Sequence, residues 1–394
     1  MEKTDELFLR AVSYGLKAQT MEEDPGMTGE EWERVLLQAA SQSLLPLVFE
    51  AVYPFLPGEL EKKYRSVTLS WIMQQVRASD EFLKTYRALL KEGLEPLVIK
   101  GIVCRSAYAL PDWRVSGDED IYVRQEEYPG LHACLKQLGF QCREPNFRSE
   151  HELVYQGKGL VIEGHWKLFP QENRVWEEMN DAVAKEFMER ALRREVEGVS
   201  LLTPEPTDHM IYLLLHAMKH FALSGVGIRQ ICDIVCWNRE NTVDWDRVES
   251  ILTGFGGLTF AQAVLDAGNR YFDMPIPDGW KRTDSSDLVL DSLSGGVFGH
   301  SSPDRLHSAS ITSADSATGH HMALNILKSV FPSRTVMEIN YPWVRKSSLL
   351  LPVGWGVRLF RYAGNMGKKG SPLSSIRIGS RRAELMRKYG VFEK

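Results

Sequence analysis

The sequence predicts an α+β protein, in which a small mixed β-sheet core is flanked by N-terminal and C-terminal helical regions. Three observations carry that expectation. Apolar residues recur at helical spacing through residues 4–92, short apolar runs closed by glycine or charge replace that period between 93 and 203, and the helical period returns after Pro204. With 394 residues, 43% of them hydrophobic and 25% charged, the chain can bury a large core in two or three domains.

Residues 1–92 form the N-terminal helical region. In "LEKKYRSVTLSWIMQQVRASDEFLKTYRALLKEG", Leu69, Ile72, Met73, Val76, Phe82, Tyr86 and Leu89 fall near one helical stripe. Residues 93–203 form the α/β core. "EPLVIKG" (95–101), entered by Pro96 and closed by Gly101, reads as a buried strand, and "EDIYVR" as a second. "EEYPGLHACLKQLG" is a helix stopped at Gly139, while "HELVYQ" and "LVIEGHW" are two further strands. Residues 204–294 return to helices in "DHMIYLLLHAMKHFAL", "IRQICDIVCWNREN" and "DWDRVESILTGF". Residues 295–320, rich in Ser, Gly and His, read as a flexible loop, and 321–394 as a C-terminal helical region broken at Pro332, Pro342 and Pro352.

A net charge of −5 and a pI near 6.1 argue against an indiscriminate polyanion binder. The local exception is a basic tail with Lys368, Lys369, Arg377, Arg381, Arg382, Arg387, Lys388 and Lys394 against Glu384 and Glu393, read as a solvated helix face. Nucleic acid is therefore not the favoured partner. Five cysteines, without a paired CxxC array, read as reduced thiols. No apolar run approaches the roughly 20 residues that span a bilayer, and the charged start "MEKTDELFLRAVSYGLKAQ" lacks a signal peptide's pattern. The expectation is a cytoplasmic protein with no membrane partner.

The chemistry centres on three carboxylates. Asp118 and Asp120 are two apart and share one face of a strand; Glu163 lies on another strand. If the strands are neighbours, each like-charge pair about 5 Å apart costs around 3 kcal/mol at an effective dielectric near 20, and a divalent cation relieves that repulsion. Oxygen ligands favour Mg²⁺ or Mn²⁺ over zinc. Upstream, Lys100 and Gly101 end a strand where glycine lets the backbone approach a phosphate.

The order of these pieces, strand–Lys–Gly–helix, then "WRVSGDEDIYV", then "VIEGHW", resembles the nucleotidyltransferase superfamily related to DNA polymerase beta. Together with "HAMKHF", "IRQICDI", "VFPS" and "LLLPVGWGVRLFR", it resembles the uncharacterised bacterial nucleotidyltransferase family within it, over about residues 95–365. That resemblance implies Asp118 and Asp120 as metal ligands, and Glu163 as a third acid that ligates metal or accepts the proton of the attacking hydroxyl. It implies an NTP as substrate, Mg²⁺ or Mn²⁺ as cofactor, and nucleotide contacts around Lys100, Gly101, Arg114 and Gly117. One departure is evident: the superfamily's glycine turn continues with Gly or Ser, whereas this chain has Lys100, Gly101 and Ile102, with Lys100 offered as a substitute charge.

On this reading a metal-dependent nucleotidyltransferase moves a nucleotidyl group from an NTP to a hydroxyl or phosphate on an unidentified acceptor, a small molecule, peptide or protein. Arg114 either clamps phosphate or forms a surface ion pair with Asp112 or Glu119. Either Lys219 or His220 reaches toward nucleotide or acceptor, or the histidines simply pack within the helix; His216 and His220, four apart but outside an HExxH pattern, do not read as a zinc pair. His165 orients the site and Trp166 packs the core. Cys232 and Cys236 are core residues, and Asp233 pairs with Arg229 at i, i+4. Neutralising Asp120 is expected to relieve repulsion and raise metal-free stability slightly. Two other readings share the residues: use of a nucleotide sugar at the same Asp-x-Asp site, and a non-catalytic nucleotide-binding or antitoxin-like module.

Overall fold

The computed structural model describes residues 1–143, 151–170, 174–223, 225–296, 331, 334, 337–338, 341–364 and 372–392. The chain opens with four helices, α1 (Lys3–Leu16), α2 (Gly29–Ser41), α3 (Leu45–Val52) and α4 (Gly58–Lys91). Local chemistry sets their starts. At α2 the Thr28 hydroxyl accepts from the Glu31 amide while the Glu31 carboxylate accepts from the Thr28 amide, a reciprocal cap.

The long helix α4 departs from the expected stripe. Phe82, Tyr86 and Leu89 are buried, but Leu69 and Met73 are 54% and 51% exposed. From Thr68 to Ser79 the inward face is polar, with Thr68, Gln75 and Ser79 buried. The reason is what it covers. Gln75 Oε1 accepts from the Ser116 amide at 2.7 Å, and the Ser79 hydroxyl accepts from Arg105.

The core is one seven-stranded mixed sheet in the order β3-β4-β5-β2-β1-β7-β6. Its strands are β1 (Leu97–Val98), β2 (Glu119–Tyr122), β3 (Gln141–Arg143), β4 (Glu152–Gly157), β5 (Leu160–His165), β6 (Leu192–Val196) and β7 (Val199–Thr203). Three helices interleave: α5 (Ile102–Arg105), α6 (Tyr128–Gln137) and α7 (Arg174–Glu189). The four apolar runs read as strands from the sequence are β1, β2, β4 and β5, while β3 and the β6–β7 hairpin join them unannounced. Both β4–β5 and β6–β7 close through two-residue turns, Lys158–Gly159 and Glu197–Gly198, with all four φ angles between 48° and 76°. That is the left-handed backbone a tight hairpin requires.

After the sheet come α8 (Pro206–Leu223), α9 (Ile228–Glu240), α10 (Trp245–Gly254), α11 (Leu258–Phe272) and α12 (Ser286–Gly295), then α13 (Leu351–Gly364) and α14 (Pro372–Lys388). Residues 297–320 of the expected loop, and Lys368, Lys369 and Lys394 of the basic tail, lie outside the described residues. The rest of that tail is a docked helix. Arg377 and Arg381 face solvent, but Arg382 is 1% exposed and donates to the Phe221 carbonyl at 2.6 Å and the Leu223 carbonyl at 3.4 Å, satisfying the C-terminal end of α8. Lys388 pairs with Asp287 at 2.5 Å. Most of the buried apolar residues form one cluster running from Leu7 to Val391, and Cys104, Cys134, Cys232 and Cys236 are buried free thiols. Among the described residues no helix is long and apolar enough to cross a membrane.

Candidate active site

Strands β2 and β5 run parallel, and their register places Asp120 directly beside Glu163. Paired residues of parallel strands project to the same side, so both carboxyls leave one face of the sheet. His165, two residues past Glu163, shares that face. Its Nε2 lies 3.2 Å from Asp120 Oδ1 and 3.8 Å from Glu163 Oε2. One ligand atom from each of Asp120, Glu163 and His165 falls within 4.8 Å of the others.

Helix α8 closes this face. Its His216 Nε2 is 3.2 Å from Lys100 Nζ, which in turn stands 3.9 Å from Asp120 Oδ2. His216 Nδ1 lies 3.1 Å from the Tyr212 hydroxyl, and its Nε2 also lies 2.8 Å from His220 Nε2. Burial first, and then the positive charges of Lys100 and Lys219, drive both His216 and His220 well below the usual histidine range. A neutral His216 protonated at Nδ1 donates there to the Tyr212 hydroxyl and leaves its Nε2 lone pair as the acceptor for a proton of the Lys100 ammonium.

The acids respond in opposite directions. For Asp120 burial opposes ionisation, but Lys100, the His165 hydrogen bond and Lys219 outweigh it and hold the carboxyl well below its ordinary value. Asp120 Oδ2 is nevertheless buried without a hydrogen-bond partner. Glu163 is pushed up to about 9, by burial first and then by the charges of Asp120, Asp118 and Glu152. Lys100 stays charged because Asp120 and Asp118 overcome its burial, the largest opposing influence.

Asp118 lies near enough to act on Glu163 and Lys100 but outside the close trio. With Gly117, which is exposed, it lines an adjoining cavity of about 260 Å³ whose walls include Trp71, Gln75, Val161 and Arg229. Lys219 is buried and lowers both Asp120 and Glu152, while the half-buried His220 is engaged with His216.

Gly101 and Arg114 have structural duties. Gly101 sits at φ 62°, and a Cβ there would collide with the Glu119 carboxylate. Glu119, on the opposite face from Asp120, accepts from the Ile102 amide at 2.6 Å and from Arg105 at 2.8 Å, so its carboxylate fills the space beside the glycine turn. Arg114 is paired with neither Asp112 nor Glu119. Fully buried, it grips Asp233 with two hydrogen bonds of 2.7 and 2.8 Å and donates to the Gly101 carbonyl at 3.2 Å, while Tyr108 donates to the same Asp233 at 2.7 Å. This also displaces the expected Asp233–Arg229 pair: Arg229 donates to the Val115 carbonyl at 2.6 Å.

Sequence reasoning gave Glu152 no role, although it is the cross-strand partner of His165 with Oε2 3.1 Å from His165 Nδ1. Tyr212, behind His216, was likewise unmarked. The signal was the register of β4 on β5, which only a pairing of the alternating runs across Lys158–Gly159 would have supplied.

No curated protein and no solved structure matches the chain. A family model described as an uncharacterised nucleotidyltransferase matches residues 28–273, a span holding all these acids, the glycine turn and α8. Because that match spans more than half of the chain, the chain belongs to the uncharacterised nucleotidyltransferase family, and is thus a transferase of phosphorus-containing groups.

Proposed function

We propose that the protein works in the cytoplasm as a metal-dependent nucleotidyltransferase, moving a nucleotidyl group from an NTP to a hydroxyl or phosphate of an acceptor, with Asp120 and Glu163 as the central acids and Asp118 at the mouth. One observation carries the reading: Asp120, whose Oδ2 is a buried carboxylate oxygen without a hydrogen-bond partner, belongs to a trio in which one donor atom of each residue falls within 4.8 Å of the others. Such an atom fits a divalent cation, Mg²⁺ or Mn²⁺, better than an empty site. A cation held there by Asp120, Glu163 and Asp118 would polarise phosphoryl oxygens and make an acceptor hydroxyl easier to deprotonate.

The chain's own groups divide the remaining work. Lys100, kept charged by the two aspartates, supplies a fixed positive charge beside the acids, and His216 directs its ammonium. Lys219 adds a second positive charge from α8. Glu163, the most exposed of the trio, would accept the proton of the attacking hydroxyl once its own proton has gone. The cavity beside Asp118 gives the substrate room next to the acids.

The test is incubation with each α-labelled NTP and Mg²⁺ or Mn²⁺, following pyrophosphate release and label transfer to small molecules, peptides and the protein itself. Asp120→Asn and Glu163→Gln are expected to lower turnover by a factor of at least about 100, a loss of roughly 3 kcal/mol of transition-state stabilisation. Full turnover in both folded variants would defeat the proposal.

A further inference from the structure

His165 occupies a position that three carboxylates alone do not explain. It is 1% exposed, and its two ring nitrogens look in opposite directions: Nε2 toward Asp120 Oδ1 and Glu163 Oε2, Nδ1 toward Glu152 Oε2. The strand registers enforce this. His165 lies opposite Tyr122 of β2 on one side and Glu152 of β4 on the other, so the imidazole bridges from the acid pair to a carboxylate one strand further out. His151 Nε2 backs that carboxylate at 3.3 Å. A histidine that ligates metal through one nitrogen characteristically gives its other N–H to a carboxylate, which fixes the tautomer and raises the basicity of the ligating atom.

We propose that His165 Nε2 is a ligand of the metal centre and that Glu152 is its positioning residue, so that the site adds an imidazole to its carboxylates and prefers a first-row transition cation to Mg²⁺. The inference rests on the metal-dependent reading above and narrows it. Mg²⁺ demands oxygen ligands and dehydrates reluctantly, whereas an imidazole nitrogen adds affinity for cations such as Mn²⁺ and those beyond it in the divalent series. The buried, partnerless Asp120 Oδ2 points to the same centre independently of the histidine. Glu152 lies 3.1 Å from Nδ1 without the alignment of a formed hydrogen bond, and a small rotation of the ring on loading would complete it.

The probe is Mn²⁺ with inorganic tripolyphosphate, which completes the ligand set and contains no nitrogen of its own. Pulsed electron paramagnetic resonance of the full chain carrying ¹⁵N-labelled histidine should show Mn²⁺ coupled to one histidine nitrogen, and the coupling should vanish in His165→Gln. Glu152→Gln keeps an acceptor for the ring N–H but removes its charge, so by titration it should weaken Mn²⁺ about tenfold and leave Mg²⁺ nearly unchanged. Circular dichroism checks that each variant is folded, and Glu152→Gln keeps the idea testable should His165→Gln not fold. Binding of Mn²⁺ with no histidine coupling, or with coupling that persists in His165→Gln, overturns the assignment of His165 while leaving a metal-dependent transferase standing. Equal loss of Mg²⁺ and Mn²⁺ in Glu152→Gln overturns the selectivity. Failure of the parent chain to bind either cation removes both this inference and the reading beneath it.

Discussion

Asp120 and Glu163 sit side by side, yet their charges have opposite effects on the metal-free protein. The sequence led us to expect relief of repulsion on neutralising Asp120. The structure reverses that sign: Lys100 and His165 hold Asp120 ionised, so Asp120→Asn removes a favourable partner from buried groups and should cost the metal-free chain about 3 kcal/mol. Glu163 is the strained acid. Its carboxyl, at about 9 in the folded chain against 4.5 ordinarily, keeps a proton that the unfolded chain releases. Between about pH 4.5 and 9 the folded state therefore binds more protons than the unfolded state, and this group's contribution to stability declines as pH rises. Melting temperatures measured in chelator across that range should fall more steeply for the parent than for Glu163→Gln, and Glu163→Gln should melt higher at pH 9. Parallel curves would show that Glu163 is already ionised in the folded protein.

At the scale of elements, the segment between α5 and β2 is tied down by two buried ion pairs facing opposite ways. Glu119 clasps Arg105 and the Ile102 amide, and Arg114 clasps Asp233 of α9. A lysine at 114 cannot reproduce a two-pronged grip. Arg114→Lys should lower stability by about 3 kcal/mol, and Asp233→Ala by a comparable amount, read from urea unfolding. If activity is lost while stability holds, Arg114 touches substrate after all. Gly101→Ala should be at least as damaging, since it combines a left-handed backbone with a clash against Glu119. These pairs also show what was legible. Apolar runs at 97–98, 119–122 and 160–165 announced strands, and acids at their edges announced a site. The destination of Arg114 was hidden because Asp233 is 119 positions away and had a plausible local partner in Arg229. The β6–β7 hairpin was hidden by the charged run Arg193, Arg194, Glu195, although Glu197–Gly198 carried the turn. Cross-strand neighbours such as Glu152 and His165 cannot be paired until register is known.

Across the whole molecule, neutral histidines make the fold sensitive to acid. His209, buried against Trp237, is pushed down to about 3 by burial and then by Arg194, while His216 and His220 are held low around Lys100. Unfolding frees each to take a proton near 6.5, so the stability these groups confer is complete above that pH and is lost as pH falls toward 3. Urea midpoints should drop steadily below pH 6.5. In His209→Gln the drop should be shallower; an unchanged slope would place the acid sensitivity elsewhere.

The grip of Arg382 on the carbonyl of Phe221 spans 161 positions of chain. On a ribosome adding about 5 to 20 residues per second, α8 emerges with Lys219 and His220 in place and then waits roughly 8 to 32 s for the arginine that finishes its end. During that interval the acids of β2 and β5 have an unfastened wall. The enzyme's birth is thus staged, with its chemistry written early and its assembly completed late, and Arg382→Ala should leave even the finished protein with a looser α8, visible as faster amide exchange through residues 218–223.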